Sequence, residues 1–202
     1  MALNDLRMHT VWSFIRASPY MNLYFTGILF FLKQDFESLY FAIVTLLVAM
    51  SNPVLKQIFR SIYSLMGINE APILGRGGRP KGATNCGAFL KFPDTESNTF
   101  GMPSGHSQSI WFFVSYIILS MYDKHNTLFN TKHLNDKVKF VSIFCLIFFA
   151  FLTSYSRVVI DKCHTIQQVI VGAIIGIIMA YVAFILKGKI HKILNKHLDV
   201  KK

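Results

Sequence analysis

Acidic residues are scarce in this chain of 202: ten Asp and Glu stand against 21 Lys and Arg, a formal net charge of +11. A basic surplus points to nucleic acid or to a membrane surface. Total charge is also low, at 15% of residues, while 52% are hydrophobic and 19 are Phe. So apolar a chain leaves little soluble surface for a basic groove. That argues against a nucleic-acid partner and against an ordinary soluble domain. Cysteine is rare as well, and three residues do not make a disulfide framework. No group of His, Cys, Asp or Glu has metal-ligand spacing, so neither a metal nor another cofactor is expected. No internal repeat or low-complexity tract is present. The first apolar stretch follows a polar segment and leads to no small-residue cleavage site, so no secretory signal is expected.

Apolar runs are plentiful. A bilayer span needs about 20 mostly apolar residues. Residues 106–122, 138–155 and 167–186 meet that well, and the last carries Gly172-x-x-x-Gly176, a spacing that lets helices approach closely. Residues 36–51 form a fourth span, extended past Pro53 by an amphipathic piece to Met66. Residues 20–32 form a fifth, borrowing from residues 10–19 despite Arg16 and Pro19. The expected fold is an all-α, polytopic integral-membrane bundle of five to six transmembrane helices in a single domain. Its motif-bearing core covers about residues 50–186, with a basic tail over 187–202. By parity, the 123–137 loop (Lys124, Lys132, Lys137) shares one side with the tail, including Lys201-Lys202. Basic short loops prefer the cytoplasm. The 67–104 loop and the 156–166 turn then face the lumen or exterior.

That outer side collects three polar clusters from separate parts of the chain. They are Gly75-Arg76-Gly77-Gly78-Arg79-Pro80-Lys81, Pro103-Ser104-Gly105-His106, and Ser156-Arg157 followed by His164. Together they suit a phosphoryl group. Arg gives planar, bidentate contacts to phosphate oxygens. Ser104 and Gly105 open a helix, where free backbone N–H groups bind anions. Two histidines provide a nucleophile and a general acid.

The ordered set "GRGGRP", "PSGH" and "SRVVIDKCH" resembles the signature of the type 2 phosphatidic acid phosphatase superfamily of membrane lipid phosphatases. "FGMPSGHSQSIWFF" and "YSRVV…CHTIQQVIVG" are most similar to its dolichyl-diphosphate phosphatase branch. The resemblance implies a metal-independent hydrolase acting on a polyprenyl diphosphate. Phosphatidate, another lipid monophosphate, or a catalytically inactive lipid-binding role are the alternatives. It implies His164 as the nucleophile that becomes phosphohistidine, and His106 as the acid that protonates the leaving oxygen and then activates water. Arg79, Ser104, Gly105 and Arg157 would hold the phosphoryl oxygens. The implied partners are the lipid substrate and the bilayer, with no nucleic acid. The implied place is the endoplasmic reticulum, with the site in the lumen and the tail in the cytoplasm; a site on the exterior of a plasma membrane fits the same topology.

Three positions depart from that pattern. The family Lys lies seven residues before the Arg of Arg-Pro, where this chain has Pro72; Lys56 is the expected substitute, displaced by an insertion, with Arg76 and Lys81 as rivals. Six residues separate Arg157 from His164 where the family has five. Gln168 stands where the family often has an Asp behind the nucleophile, and is expected to orient the imidazole, with Asp161 as an alternative. Plain structural readings compete: His106 as a helix cap, His164 as an interfacial histidine, Arg157 as a snorkelling arginine. Cys86 and Cys163 both fall in outer segments, yet nearness to one site does not bring two Cα atoms within about 7 Å. They are expected to be free thiols, with a disulfide between them in an oxidising lumen as the alternative, and Cys145 to face lipid or core.

Overall fold

The computed structural model describes residues 11–83, 86–87, 97, 99–123, 127–129 and 135–199, the last six without side chains. Lys124, Lys132, Lys201 and Lys202 lie outside the described residues. Residues 11–16 are helical and lead through Ala17 into α1, Ser18–Lys33. Gln34 ends α1 in the left-handed conformation at φ 51°, and the Asp35 side chain accepts from the Ser38 amide at 2.8 Å to start α2, Phe36–Leu65. An Asp at this position satisfies an otherwise unpaired first-turn donor.

The sequence reading divides α2 at Pro53 into a span and an extension. The structure joins them in one helix of 30 residues, about 45 Å at 1.5 Å per residue. An interior proline removes a backbone donor and crowds the preceding turn. Side chains serve that turn: Val48 O accepts from Ser51 Oγ at 2.7 Å and from Gln108 Nε2 at 3.4 Å. Beyond α2 a small antiparallel hairpin pairs β1, Glu70–Ala71, with β2, Gly75–Arg76. Then come α3 (Gly105–Tyr122), α4 (Asp136–Tyr155), a π-helical turn (Ser156–Ile160) and α5 (Ile166–Asp199).

Helix α3 lies at the centre and touches each of the other four helices. Its approach to α5 is closest. A methyl group on Gly172 would sit 2.6 Å from Ser104 O, and one on Gly176 only 2.3 Å from Gln108 O. Substitution at either position would force the two helices apart. The buried faces of α2, α3 and α5 meet in an aromatic core, where Phe41 stacks on Tyr116 at 4.6 Å and Tyr40 donates to Ala183 O at 2.8 Å.

Outward faces are apolar instead of charged. Phe140, Phe144, Phe148 and Phe151 of α4 are exposed, as are Ile170, Ile174, Ile178 and Tyr181 of α5. Exposed apolar surface on this scale marks a lipid-facing bundle. Among the described residues, three helical segments are long and apolar enough to cross a membrane, Phe36–Leu65, Asp136–Ile160 and Ile166–Ile193. Cys145 is exposed on α4.

At one end of the bundle Lys187 is buried and pairs with Glu37 at 3.2 Å and Asp123 at 3.0 Å. Glu37 also accepts from the amides of Thr127 at 2.6 Å and Leu128 at 2.8 Å. Lys187 is therefore a buried, paired cation, not the first residue of a basic tail, and α5 continues helically to Asp199. The 67–83 segment and the 156–166 turn meet at the opposite end.

Candidate functional site

His164 sits in the turn between the π-helix and α5 and is 4% exposed. Its Nδ1–H donates to Gln168 Oε1 at 3.0 Å. Gln168 lies in the first turn of α5, and reciprocal bonds with Thr165, at 3.3 and 3.4 Å, turn its side chain back toward the residues before the helix. The amide of Gln168 has its other end fixed, with Nε2 donating to Arg76 O at 2.8 Å and to Gly78 O at 2.7 Å. Two carbonyls admit only the NH₂ end, so Oε1 must face the histidine. That sets the tautomer and leaves the lone pair on Nε2, where Arg79 Nη1 approaches at 3.3 Å. Burial, reinforced by Arg79, Arg157 and Lys56, holds His164 well below the usual histidine pKa.

The hairpin is what brings the carbonyls to Gln168. Tyr63 donates to Gly75 O at 2.9 Å, and Gly75 takes φ +69°, with Gln167 only 3.0 Å from where a Cβ would stand. Positive φ together with that close approach calls for glycine.

Arg157 is fully buried in the π-helix. Its Nη1 donates to Asp161 at 2.7 Å and its Nη2 to Cys86 O at 2.8 Å, while Nε has no partner among the described residues. Ser104 Oγ is likewise buried and has no partner among the described residues, and its amide donates to Gln168 O at 3.1 Å. Arg79 donates from Nε to Thr99 at 2.9 Å and from Nη1 to Cys163 O at 3.0 Å. Burial, then the neighbouring Arg157, pushes its pKa down to about 10. Lys56, Arg79, Gly105, His106 and His164 line one cavity of about 320 Å³ that opens past Tyr20, Leu23 and Ala49. His106 Nε2 donates to Arg16 O at 3.0 Å, so Nδ1 is the nitrogen left to exchange a proton.

A basic cavity with two histidines under one membrane end agrees with a match between residues 38–192 and the PAP2 superfamily model. The chain belongs to the PAP2 superfamily. Curated relatives carry a narrower name. Dolichyldiphosphatase 1 of Mus musculus is 39% identical over 99 residues, 48% of this chain and 41% of that protein. Dolichyldiphosphatase 1 of Homo sapiens is 42% identical over 94 residues, 46% of this chain and 39% of that protein. The dolichyldiphosphatase of Saccharomyces cerevisiae is 32% identical over 100 residues, 50% of this chain and 39% of that protein. The matched stretch thus spans about two fifths of each relative's length. No solved structure matches the chain.

The departures from the superfamily pattern have structural accounts. The extra residue between Arg157 and His164 is taken up by the π-helix, which holds one residue more per hydrogen-bonded turn than an α-helix. The amides of Cys163 and His164 still both reach Arg157 O, at 3.0 and 3.2 Å. Lys56 is placed in the His164 cavity, whereas Arg76 and Lys81 line a neighbouring one. Asp161 does not stand behind His164; it binds Arg157 and Arg16.

One expectation is overturned. Cys86 and Cys163 are not free thiols but a disulfide, with Cα atoms 5.6 Å apart. The same arginine gathers both segments, since Cys86 O accepts from Arg157 Nη2 and the Cys163 amide donates to Arg157 O. That convergence satisfies bridge geometry, and linear sequence does not show it. The bridge should hold the Cys86 carbonyl on Arg157. Reducing it is expected to lower turnover about tenfold, or ~1.4 kcal/mol in the barrier, with recovery on reoxidation. Labelling of denatured protein should gain two thiols on reduction, and none in Cys163→Ser.

Arg16 is the residue that sequence reasoning passed over. It lies upstream of the superfamily match, yet its guanidinium pairs with Asp161 and its carbonyl holds His106. The signal was present: an ionisable residue inside an apolar block is a functional lead by default.

Proposed function

We propose that the chain hydrolyses the terminal phosphate of a polyprenyl diphosphate of the dolichyl type, in the lumenal leaflet of the endoplasmic reticulum, through a phosphohistidine. The observation that carries this reading is His164, with Nδ1–H held by Gln168 and its Nε2 lone pair against Arg79 in a basic cavity. Nε2 attacks the terminal phosphorus, and the bond from phosphorus to the bridging oxygen breaks. His106 gives that oxygen its proton and releases the lipid monophosphate. Neutral His106 then takes a proton from water, whose oxygen attacks the phosphohistidine, and orthophosphate leaves with His164 restored. Lys56, Arg79, Arg157, Ser104 and the Gly105 amide bind the phosphoryl oxygens. Donors fixed in advance where charge develops are the largest catalytic contribution in sites of this kind. The cavity mouth at Tyr20 and Leu23 suits an apolar tail. The matched relatives' printed names support the diphosphate over phosphatidate.

The test is phosphate release by the purified full chain in detergent. Dolichyl diphosphate should be turned over with EDTA present, and vanadate, a five-coordinate phosphoryl mimic, should inhibit. A strict Mg²⁺ requirement would refute the mechanism, and a preference for phosphatidate would refute the substrate.

The tautomer gives an independent check. Because the imidazole is held neutral, ¹⁵N spectra of histidine-labelled protein should show Nδ1 protonated and Nε2 bare at pH 6.5. Protonation should come only as pH falls well below an ordinary histidine's range of about 6.5. The signal is assigned by its loss in His164→Gln. A doubly protonated ring at pH 6.5 would contradict the geometry.

A further inference from the structure

The extra length between Lys56 and Arg79 builds more than a prop for Gln168. Between α2 and the hairpin lies a cavity of about 560 Å³, lined in part by Arg60, Asn69, Glu70 and Arg76. A second cavity, of about 260 Å³, shares Arg60 and Arg76 with it and adds Arg79, Lys81, Ser97 and Thr99. Arg79 also lines the catalytic cavity, so it forms the partition between the two. Among the described residues, the smaller outer cavity has four cationic side chains in its wall and no carboxylate; the acid nearest in the lining is Glu70, in the larger one. Arg60, Arg76 and Lys81 are exposed and form no ion pair among the described residues. Ser97 and Thr99 add hydroxyls 3.0 Å apart.

Among the described residues the one countercharge is Glu70, which stands opposite Arg76 across the hairpin without an ion-pair contact; the remaining cations around the smaller cavity repel one another, and an anion relieves that. Two guanidinium groups with ammonium and hydroxyl donors supply enough charge and donors for the several oxygens of a phosphate dianion. We propose that Arg60, Arg76 and Lys81 form a second, water-facing anion subsite that takes orthophosphate across Arg79 from the catalytic cavity. Orthophosphate is the species each turnover would release beside Arg79, on the side away from the lipid tail. The identity of the ligand rests on the hydrolase reading above; the anion site itself does not.

Equilibrium dialysis of labelled orthophosphate against the full chain in phosphatidylcholine nanodiscs, at low salt, tests the subsite without turnover. Wild type should bind two equivalents. The triple variant Arg60→Gln, Arg76→Gln and Lys81→Gln should lose one, and Arg157→Gln should lose the other. The single variant Lys81→Glu, a surface change in a turn, should weaken the outer equivalent at least about tenfold. Unchanged binding in both the triple variant and Lys81→Glu would overturn the proposal. Discs doped with dolichyl monophosphate separate the two sources of phosphate: displacement of the outer equivalent by that lipid would overturn the aqueous assignment. Absence of turnover with loss of one equivalent in the triple variant would sink the hydrolase reading alone. Normal turnover with binding unaltered in the variants would sink the subsite alone.

Discussion

His164→Ala is expected to abolish phosphate release, by at least about 10⁴-fold, while the chain still folds and inserts. Nucleophile loss removes the covalent route altogether, whereas loss of a general acid or base typically costs about 10²–10⁴. The fold should survive because the imidazole makes few contacts. Its Nδ1–H reaches Gln168, its Nε2 meets Arg79, and the backbone bond from its amide to Arg157 O does not need the ring. Gln168 Oε1 keeps a second donor in the Thr165 amide, at 3.3 Å, and its NH₂ end keeps both carbonyls. Rapid quench with a substrate labelled in the terminal phosphate separates the roles of the two histidines. Wild type should show transient label on protein. His106→Ala should accumulate it under slowed dephosphorylation, and His164→Ala should show none. Labelled protein or near-normal turnover in His164→Ala would remove the phosphohistidine from the mechanism.

How much of this was legible before the structure depends on whether the cause is local. The helices are local: each apolar run acts on neighbours in sequence, and the helices stand where the runs put them, while the spacing of Gly172 and Gly176 announces a close helix approach without naming the partner, α3. Parity along those helices also delivers Arg79, Ser104, His106, Arg157 and His164 to one end. Gln168 is legible as the partner of His164 from the resemblance, which puts an orienting side chain four residues after the nucleophile. Its fixed orientation is not, since that depends on Arg76 O and Gly78 O arriving from a hairpin with two residues in each strand. Pairing over so short a stretch leaves almost no alternation to read. The Cys86–Cys163 bridge and the Arg16–Asp161 pair fail for the same reason: each joins segments far apart in the chain through a third residue. Lys187 shows the opposite error. A lysine after an apolar run reads as the start of a basic tail, but two carboxylates from other elements bury it. A buried ammonium is tolerated only when paired in this way.

Arg157→Lys should lose about 10²–10³ in kcat and remain folded, and the reason lies in how the guanidinium divides its donors. Nη1 is committed to Asp161 and Nη2 to Cys86 O, at 2.7 and 2.8 Å. Nε alone has no partner among the described residues. An unmet buried donor typically costs about 1–3 kcal/mol, which a bound phosphoryl oxygen would relieve. A single ammonium cannot hold a carboxylate, a carbonyl from the bridged loop and the substrate in one plane. Lysine keeps the charge opposite Asp161, and Asp161 keeps Arg16 as its second cation, so no carboxylate is stranded. Loss of one preorganised donor typically costs about 10²–10³ in kcat. The fall should appear in kcat more than in KM, because Lys56 and Arg79 still attract the ground-state anion. Thermal unfolding in the same detergent should stay within a few degrees of wild type. A lysine variant within tenfold of wild-type kcat would show that charge alone suffices at position 157, and that the buried fork serves only to tie the Cys86 loop to the π-helix.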